Sequence, residues 1–429
     1  WIAHGNGNAD RQVVNRKGEL LVPPDEMKYT LKRIWLTDEE VAGYYLGFSN
    51  EGLWPLFHLA HTRPIFRKQD WDEYVQVNEK FANTVLAGIK QTRNPLVLVQ
   101  DFHLALLPRL VKSKRPDATI GIFWHIPWVS AESFSICPWK KEILDGILGA
   151  DLIGFHIQQY CNNFIDTVSK EVESLIDYDQ YAVTRNEHTS LVKAFPISIA
   201  FTDGIQEHLP VPPQEDENID LVRKLDLEYK YLGVGVDRMD YTKGILERLK
   251  GIEIFLKRYP SYQGEFVFVQ IAAPSRSEVA KYREFAEQVQ AETARINSEL
   301  GNQKWKPIVL LYEQHNHEEI NKLFQRSDFC LVTSLHDGMN LVAKEYVAAR
   351  NDGKGVLILS QFAGASRELK DALIINPYNG EQTAEAIYTA LNMPVAEQKL
   401  RMEKLRAVVK NYNIFRWSAE FLRALTKIS

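Results

Sequence analysis

The chain has 429 residues, more than one hydrophobic core usually serves, so two domains of about 200 residues each are expected. A hydrophobic content of 45% is ordinary for a globular protein, and a formal net charge of −5 leaves neither a basic footprint for nucleic acid nor an acidic tail. The widely spaced Cys137, Cys161 and Cys330 form no Cys-x-x-Cys pair, which argues against zinc and for a reducing cytoplasm; no apolar run could span a bilayer, and the opening "WIAHGNGNADR" lacks signal-peptide order.

Along the chain, apolar runs of strand length alternate with helix-length segments. In the first half they are "LVLVQ" (96–100), "TIGIFWH" (119–125), "ADLIGFH" (150–156) and "LVKAFPISIA" (191–200). In the second half they are "YLGVGV" (231–236), "EFVFVQIAA" (265–273), "PIVLLY" (307–312), "FCLVTS" (329–334), "GVLILS" (355–360) and "ALIINP" (372–377). Runs this apolar suit parallel strands covered on both faces, so the predicted fold is α/β, with two facing Rossmann-like, doubly wound domains and a site in the cleft at the strand ends. The hinge is expected after "FPISIAFTDG" (195–204), because the charged, proline-containing "LPVPPQEDENID" (209–220) reads as linker. The predicted domains are 1–199 and 200–410, with a C-terminal helix over 411–429 packing back on the first.

Candidate residues fall at the turns. The stretch "YYLGFSNEGLWPLFH" (44–58) offers Tyr45 and Trp54 as sugar platforms, although aromatics at this density more often form core. In "VQDFHLALLP" (99–108), Asp101 and His103 flank a strand end, where Asp101 reads equally well as a helix N-cap. His125 closes a strand in "WHIPW" (124–128) and could donate to a sugar hydroxyl or satisfy a carbonyl. "VDRMDYTKG" (236–244) puts Arg238 and Lys243 at one turn, a pair suited to a diphosphate, the alternative being solvated charges answered by Asp237 and Asp240. Last comes "LHDGMNLVAKEY" (335–346), a polar strand-to-helix turn. Helix N-termini attract anions, but Asp337 would oppose one, so sugar hydroxyls fit better beside it.

Taken in order, "GLWPLFH", "DFHLALLP", "HIPW", "GADLIGFH", "FPIS", "VDRMDYTKG", "IAAPSR", "DGMNLVAKEY" and "ILSQFAGA" resemble the trehalose-6-phosphate synthase family of retaining glycosyltransferases. The resemblance spans nearly the whole chain and implies a GT-B enzyme moving glucose from a nucleotide-glucose donor to a phosphorylated acceptor, usually glucose 6-phosphate. It implies no metal and no other cofactor. By the same matching, Arg238 and Lys243 hold the donor diphosphate and Glu345 the ribose, while Asp337, Gly338, Met339, Asn340 and Leu341 line the glucosyl and phosphate groups. His125 contacts the donor sugar, Asp101 lies beside the acceptor hydroxyl, and Tyr45, Trp54 and Arg276 hold the acceptor and its phosphate. For Glu345, compensation of the helix dipole is the competing explanation. Retention in this family implies front-face attack, with the departing phosphate helping to deprotonate the acceptor. The implied partners are the two substrates, without nucleic acid or membrane, and self-association is left open.

Three departures from the family pattern stand out. The chain opens at Trp1, past the strand and glycine loop that the resemblance puts first, so a first sheet without that strand and a chain that binds nucleotide yet turns over poorly are expected. The family's W-x-G-W-S-G pattern stands here as "WIAHGNG", with His4 in place of the second tryptophan that frames the acceptor. Gln100 replaces a common histidine, a change given little weight. Competing readings are a relative using another acceptor such as glycerol 3-phosphate, a non-catalytic sugar-phosphate sensor, and a phosphorylase-like enzyme with pyridoxal phosphate. The survival of Arg238, Lys243, Asp337, Asn340 and Glu345 together weighs against the sensor. No cofactor lysine is identifiable for the phosphorylase.

Overall fold

The computed structural model describes residues 1–5, 10–23, 26–59, 61–201 and 221–428; the linker expected over 209–220 lies outside the described residues. The chain divides into two compact units, Trp1–Phe195 with Glu420–Ser429, and Pro196–Ala419. Among the described residues, no helix is long and apolar enough to cross a membrane.

In the first unit, β1 (Ile2–His4), β2 (Glu19–Val22) and β3 (Tyr29–Ile34) form a small sheet in the order β1-β3-β2. The main sheet comprises β4 (Leu96–Gln100), β5 (Thr119–Phe123), β6 (Leu152–Phe155), β7 (Leu175–Asp177), β8 (Ala182–Arg185) and β9 (His188–Ala194), in the order β4-β5-β6-β9-β8-β7. The strands β4, β5, β6 and β9 run parallel. Every residue of β5 and β6 is buried, the condition that produces an unbroken apolar run, whereas edge strand β4 buries Val97 and Val99 and exposes Leu96 and Leu98. The sheet is not wholly parallel, because β8 runs antiparallel to both of its neighbours, β7 and β9. A two-residue turn, Asn186 and Glu187, both with positive φ, sends β8 into β9, as right-twisted hairpins require. The helix Ile414–Thr426 buries Phe421 and Leu425. Gly121 and Gly154 make room for the Phe421 ring, since a Cβ on either would lie 3.0 or 2.7 Å from it. Burying that side chain is worth roughly 1.5–3 kcal/mol.

The second unit is a wholly parallel sheet of β10 (Tyr231–Arg238), β11 (Phe266–Ala273), β12 (Ile308–Leu311), β13 (Phe329–Val332), β14 (Val356–Ser360) and β15 (Leu373–Ile375), in the order β12-β11-β10-β13-β14-β15. Helices Ile245–Arg258, Ala280–Leu300, His317–Arg326 and Leu341–Ala349 follow the first four of these strands in turn. Numbered within the unit, this is the doubly wound order in which the chain reverses direction between β10 and β13. A crevice opens at such a switch point beyond the carboxyl ends of the strands, and the two polar turns of the sequence leave those two strands.

Candidate active site

Arg238 ends β10 and is exposed. The next residue anchors to the neighbouring strand, Met239 N–H donating to the Ala273 carbonyl at 2.7 Å, and a single turn follows over Tyr241–Lys243. Asp240 caps that turn, accepting from the Thr242 N–H and hydroxyl at 2.9 Å each. Gly244 holds φ +64°, and a Cβ there would collide with the Thr333 carbonyl. Glycine is thus needed both for the left-handed backbone and for the close approach to the end of β13. Beneath the turn lies Arg248, wholly buried, with Nη1 donating to Asp237 Oδ2 at 2.6 Å and Nε to Thr333 Oγ1 at 3.0 Å. The Thr333 hydroxyl donates onward to the Gly244 carbonyl at 2.8 Å. Asp237 bonds to Arg248, Asp240 to Arg276 and Lys243 to Asp337, while Arg238 and Lys243 also act on the charge of Asp240.

After β13, Lys243 Nζ donates to Asp337 Oδ2 at 2.5 Å, and the same oxygen accepts from the Ser334 hydroxyl at 3.1 Å and Asn340 Nδ2 at 3.2 Å. Asn340, at φ 73°, N-caps helix Leu341–Ala349 by accepting from the Ala343 N–H at 3.1 Å. Its side chain therefore builds the turn, and the donors left for a ligand are the first N–H groups of the helix. The segment Gln361–Ala365 braces the other side. Phe362 accepts from the Asp337 N–H, Gly364 N–H donates to the Asp337 carbonyl, and Ala365 N–H to that of Met339. Gly364 packs so closely on the Gly338 carbonyl that a Cβ there would overlap it. Glu345 stands in the second turn of its helix, and no acidic residue occupies the first, so dipole compensation does not account for it. It lines a cavity of about 470 Å³ with His317, Ile320 and Phe201, and burial raises its carboxyl while His317 opposes the rise. Arg238, Lys243 and Asp337 are not among the residues lining that cavity.

Beyond β11, Arg276 sits at φ 49° with its side chain 6% exposed. Its Nη1 donates to Asp240 Oδ2 at 3.2 Å and to the Tyr282 hydroxyl at 2.7 Å. A bulky residue held in the left-handed region stores strain that its surroundings must offset, and such positions cluster at functional sites.

In the first unit, Asp101 leaves β4 at φ 72°. Its Oδ1 accepts from the Phe102 N–H at 2.9 Å, capping a one-turn helix, and from the His125 N–H at 3.0 Å. The carboxylate thereby joins the ends of β4 and β5. His125 Nε2 lies 2.7 Å from Gln100 Oε1. With an amide oxygen as partner, Nε2 carries the proton and Nδ1 is left as an acceptor. Burial lowers the His125 pKa, with Asp101 acting against it, so the ring is neutral at neutral pH. Tyr45, half-buried, stacks on His103 with ring centroids 5.7 Å apart. Trp54 is 6% exposed and packs against His58 and Phe102. His4 lies in β1, paired with Ile34 of β3.

A family model described as "Glycosyltransferase family 20" matches residues 3–427. The chain belongs to that family. This glycosyltransferase is 36% identical over 428 residues to the Alpha,alpha-trehalose-phosphate synthase [UDP-forming] of Pichia angusta, covering 97% of the chain and 88% of that protein. Among solved structures it is similar to a trehalose-6-phosphate synthase from E. coli bound with UDP-2-fluoro glucose, at TM-score 0.88 and 31% identity, covering 100% of this chain and 92% of that one. It is also similar to an alpha,alpha-trehalose-phosphate synthase (UDP-forming) from Burkholderia xenovorans in complex with glucose-6-phosphate, at TM-score 0.85 and 31% identity, covering 92% and 87%. Two Rossmann-like units are the fold expected of a GT-B enzyme.

The structure brings Lys243, Asp337 and Asn340 of this glycosyltransferase into one hydrogen-bonded group, and Asp101 with His125 into another. Sequence reasoning passed over Ser334, Thr333, Arg248 and Gly364, and it named Asp240 without its partner Arg276, 36 residues on. Gln100, given little weight, is the partner that sets the His125 tautomer. Its place at the end of a strand, three residues before His103, was the only local signal.

Proposed function

We propose that this glycosyltransferase moves the glucosyl group of UDP-glucose to glucose 6-phosphate, giving trehalose 6-phosphate and UDP with the anomeric configuration retained. One observation carries the reading: at the switch point of the second unit, a turn bearing Arg238 and Lys243 meets a turn bearing Asp337 and Asn340, tied by the 2.5 Å Lys243–Asp337 contact. The UDP-forming relatives and the neighbours holding a UDP-glucose analogue and glucose 6-phosphate support the same pair of substrates.

In this reading Arg238 takes the diphosphate oxygens through its guanidinium fork and Lys243 adds a mobile charge, so both neutralise the negative charge that grows as the phosphate leaves. The start of helix Leu341–Ala349 adds N–H donors on the same side. Asp337, with Lys243 shared between it and the phosphate, accepts from glucosyl hydroxyls, and the backbone of Gly338 and Met339 lines the sugar. Glu345 accepts from ribose hydroxyls. His125, neutral, offers Nδ1 to a hydroxyl of the donor sugar. Asp101 stands beside the attacking hydroxyl, and Arg276, Tyr45 and Trp54 receive the sugar phosphate. The attacking hydroxyl bonds to the anomeric carbon on the face from which the phosphate departs, and its proton passes to the departing phosphate oxygen. Catalysis is then orientation together with leaving-group stabilisation. The three cysteines are buried and unpaired, which supports a place in the reducing cytosol.

A donor-by-acceptor screen of the full-length enzyme tests this. UDP-glucose with glucose 6-phosphate should outrun every other pair, glycerol 3-phosphate included. Release of UDP with glycerol 3-phosphate but not with glucose 6-phosphate would overturn the acceptor assignment.

A further inference from the structure

Asp240 is wholly buried, and its two oxygens serve different partners. Oδ1 accepts from the N–H and hydroxyl of Thr242, inside the turn that presents Lys243. Oδ2 accepts from Arg276 Nη1 at 3.2 Å, across 36 residues of sequence. Burial alone would raise this carboxyl, but Arg276, then Arg238 and Lys243, outweigh burial and hold it below the usual carboxylate range. One buried anion therefore answers charge from three cations, of which Lys243 is also held by Asp337.

We propose that Asp240 is a positioning residue that couples the two substrate sites, one oxygen fixing the turn for the donor diphosphate and the other fixing Arg276 for the acceptor phosphate. The inference rests on the reading of Lys243 as a donor group and Arg276 as an acceptor group. A rigid carboxylate has one plane. When a diphosphate orders the Lys243 turn, that plane is set, and the guanidinium bonded to its far oxygen is ordered before the acceptor arrives. Linkage makes the effect reciprocal, and each ligand should tighten the other by the same factor, about tenfold.

Calorimetric titration of the full chain with UDP, with and without saturating glucose 6-phosphate, and then with the order reversed, reads that factor. The wild type should show equal tightening in both directions. Asp240→Asn keeps the size and the cap but turns an N–H toward Arg276, so it should weaken glucose 6-phosphate and bring the factor to about one. Tyr282→Phe should weaken glucose 6-phosphate alone and Thr242→Val should weaken UDP alone. Lys243→Ala and Arg276→Ala report on the underlying reading: if they weaken UDP and glucose 6-phosphate respectively while Asp240→Asn keeps the wild-type factor, the coupling role is overturned and the site assignment stands. If Arg276→Ala leaves glucose 6-phosphate binding intact, the assignment falls and the inference with it. Should Asp240→Asn not fold, the Thr242→Val, Tyr282→Phe double variant decides, since an unchanged factor there overturns the proposal and a lost factor supports it.

Discussion

Replacing Lys243 by alanine should separate the ion pair that the side chain makes from the donor-phosphate role proposed for it. Its Nζ lies 2.5 Å from Asp337 Oδ2, and the two side chains are 12% and 13% exposed, so the pair is largely shielded from water. Stripping a fully buried carboxylate of its only partner costs about 3–5 kcal/mol. Asp337 keeps the Ser334 hydroxyl at 3.1 Å and Asn340 Nδ2 at 3.2 Å, so the cost should resemble that of one lost bond to a charged group, about 1.5–3 kcal/mol. In a domain of this size that is a drop in Tm of roughly 3–12 °C. The catalytic loss is separate: removing one preorganised cation from the leaving phosphate should cost about 3 kcal/mol, or about a hundredfold in kcat. Adding Asp337→Asn to the variant removes the stranded charge and should recover most of the Tm and none of the kcat. Scanning calorimetry and UDP release at saturating donor measure both. A Lys243→Ala enzyme with wild-type kcat, or a double variant no more stable than the single, would refute the reasoning.

Arg276→Ala should raise KM for the phosphorylated acceptor far more than KM for the donor, and equal effects in steady-state kinetics would point to a general structural role. Gln100→Glu should move the acid limb of the pH–rate profile upward, because a carboxylate at 2.7 Å from Nε2 favours the imidazolium, whereas burial in the wild type lowers the His125 pKa; an unmoved limb would remove His125 from the mechanism. The sign for stability follows: with the folded pKa depressed, the unfolded chain binds more protons below about 6.5, so the contribution of neutral His125 is complete above that pH and is lost as pH falls, which denaturant melts at pH 5 and 8 can read. Gly364→Ala should displace the 337–339 backbone and weaken UDP-glucose binding at least tenfold, because the added Cβ overlaps the Gly338 carbonyl. Calorimetry with UDP-glucose checks it.

The second unit was legible because parallel strands buried on both faces read as continuous apolar runs; β10, β11, β13 and β14 all lie where such runs stand. Their ends were not. "FCLVTS" promised a strand through Ser334, but β13 stops at Val332, since Thr333 and Ser334 bond to the turns instead. The antiparallel excursion through β7 and β8 escaped notice because both strands are short and the turn from β8 into β9, Asn186-Glu187, lacks the glycine that marks most such turns. The run "LVKAFPISIA" misplaced β9, which starts at His188 and ends at Ala194, ahead of Pro196. Within the site, Arg238, Lys243 and Asp337 were visible because each follows an apolar run at a polar turn. The links among them were hidden, because Asp240 to Arg276, Lys243 to Asp337 and Gln100 to His125 join residues that only the sheet brings together.

Product analysis tests the central claim most directly. Full-length enzyme incubated with UDP-glucose and glucose 6-phosphate should yield equimolar UDP and trehalose 6-phosphate, with both anomeric protons in the α configuration by NMR. A β linkage, or hydrolysis of UDP-glucose without transfer to the sugar phosphate, would contradict it.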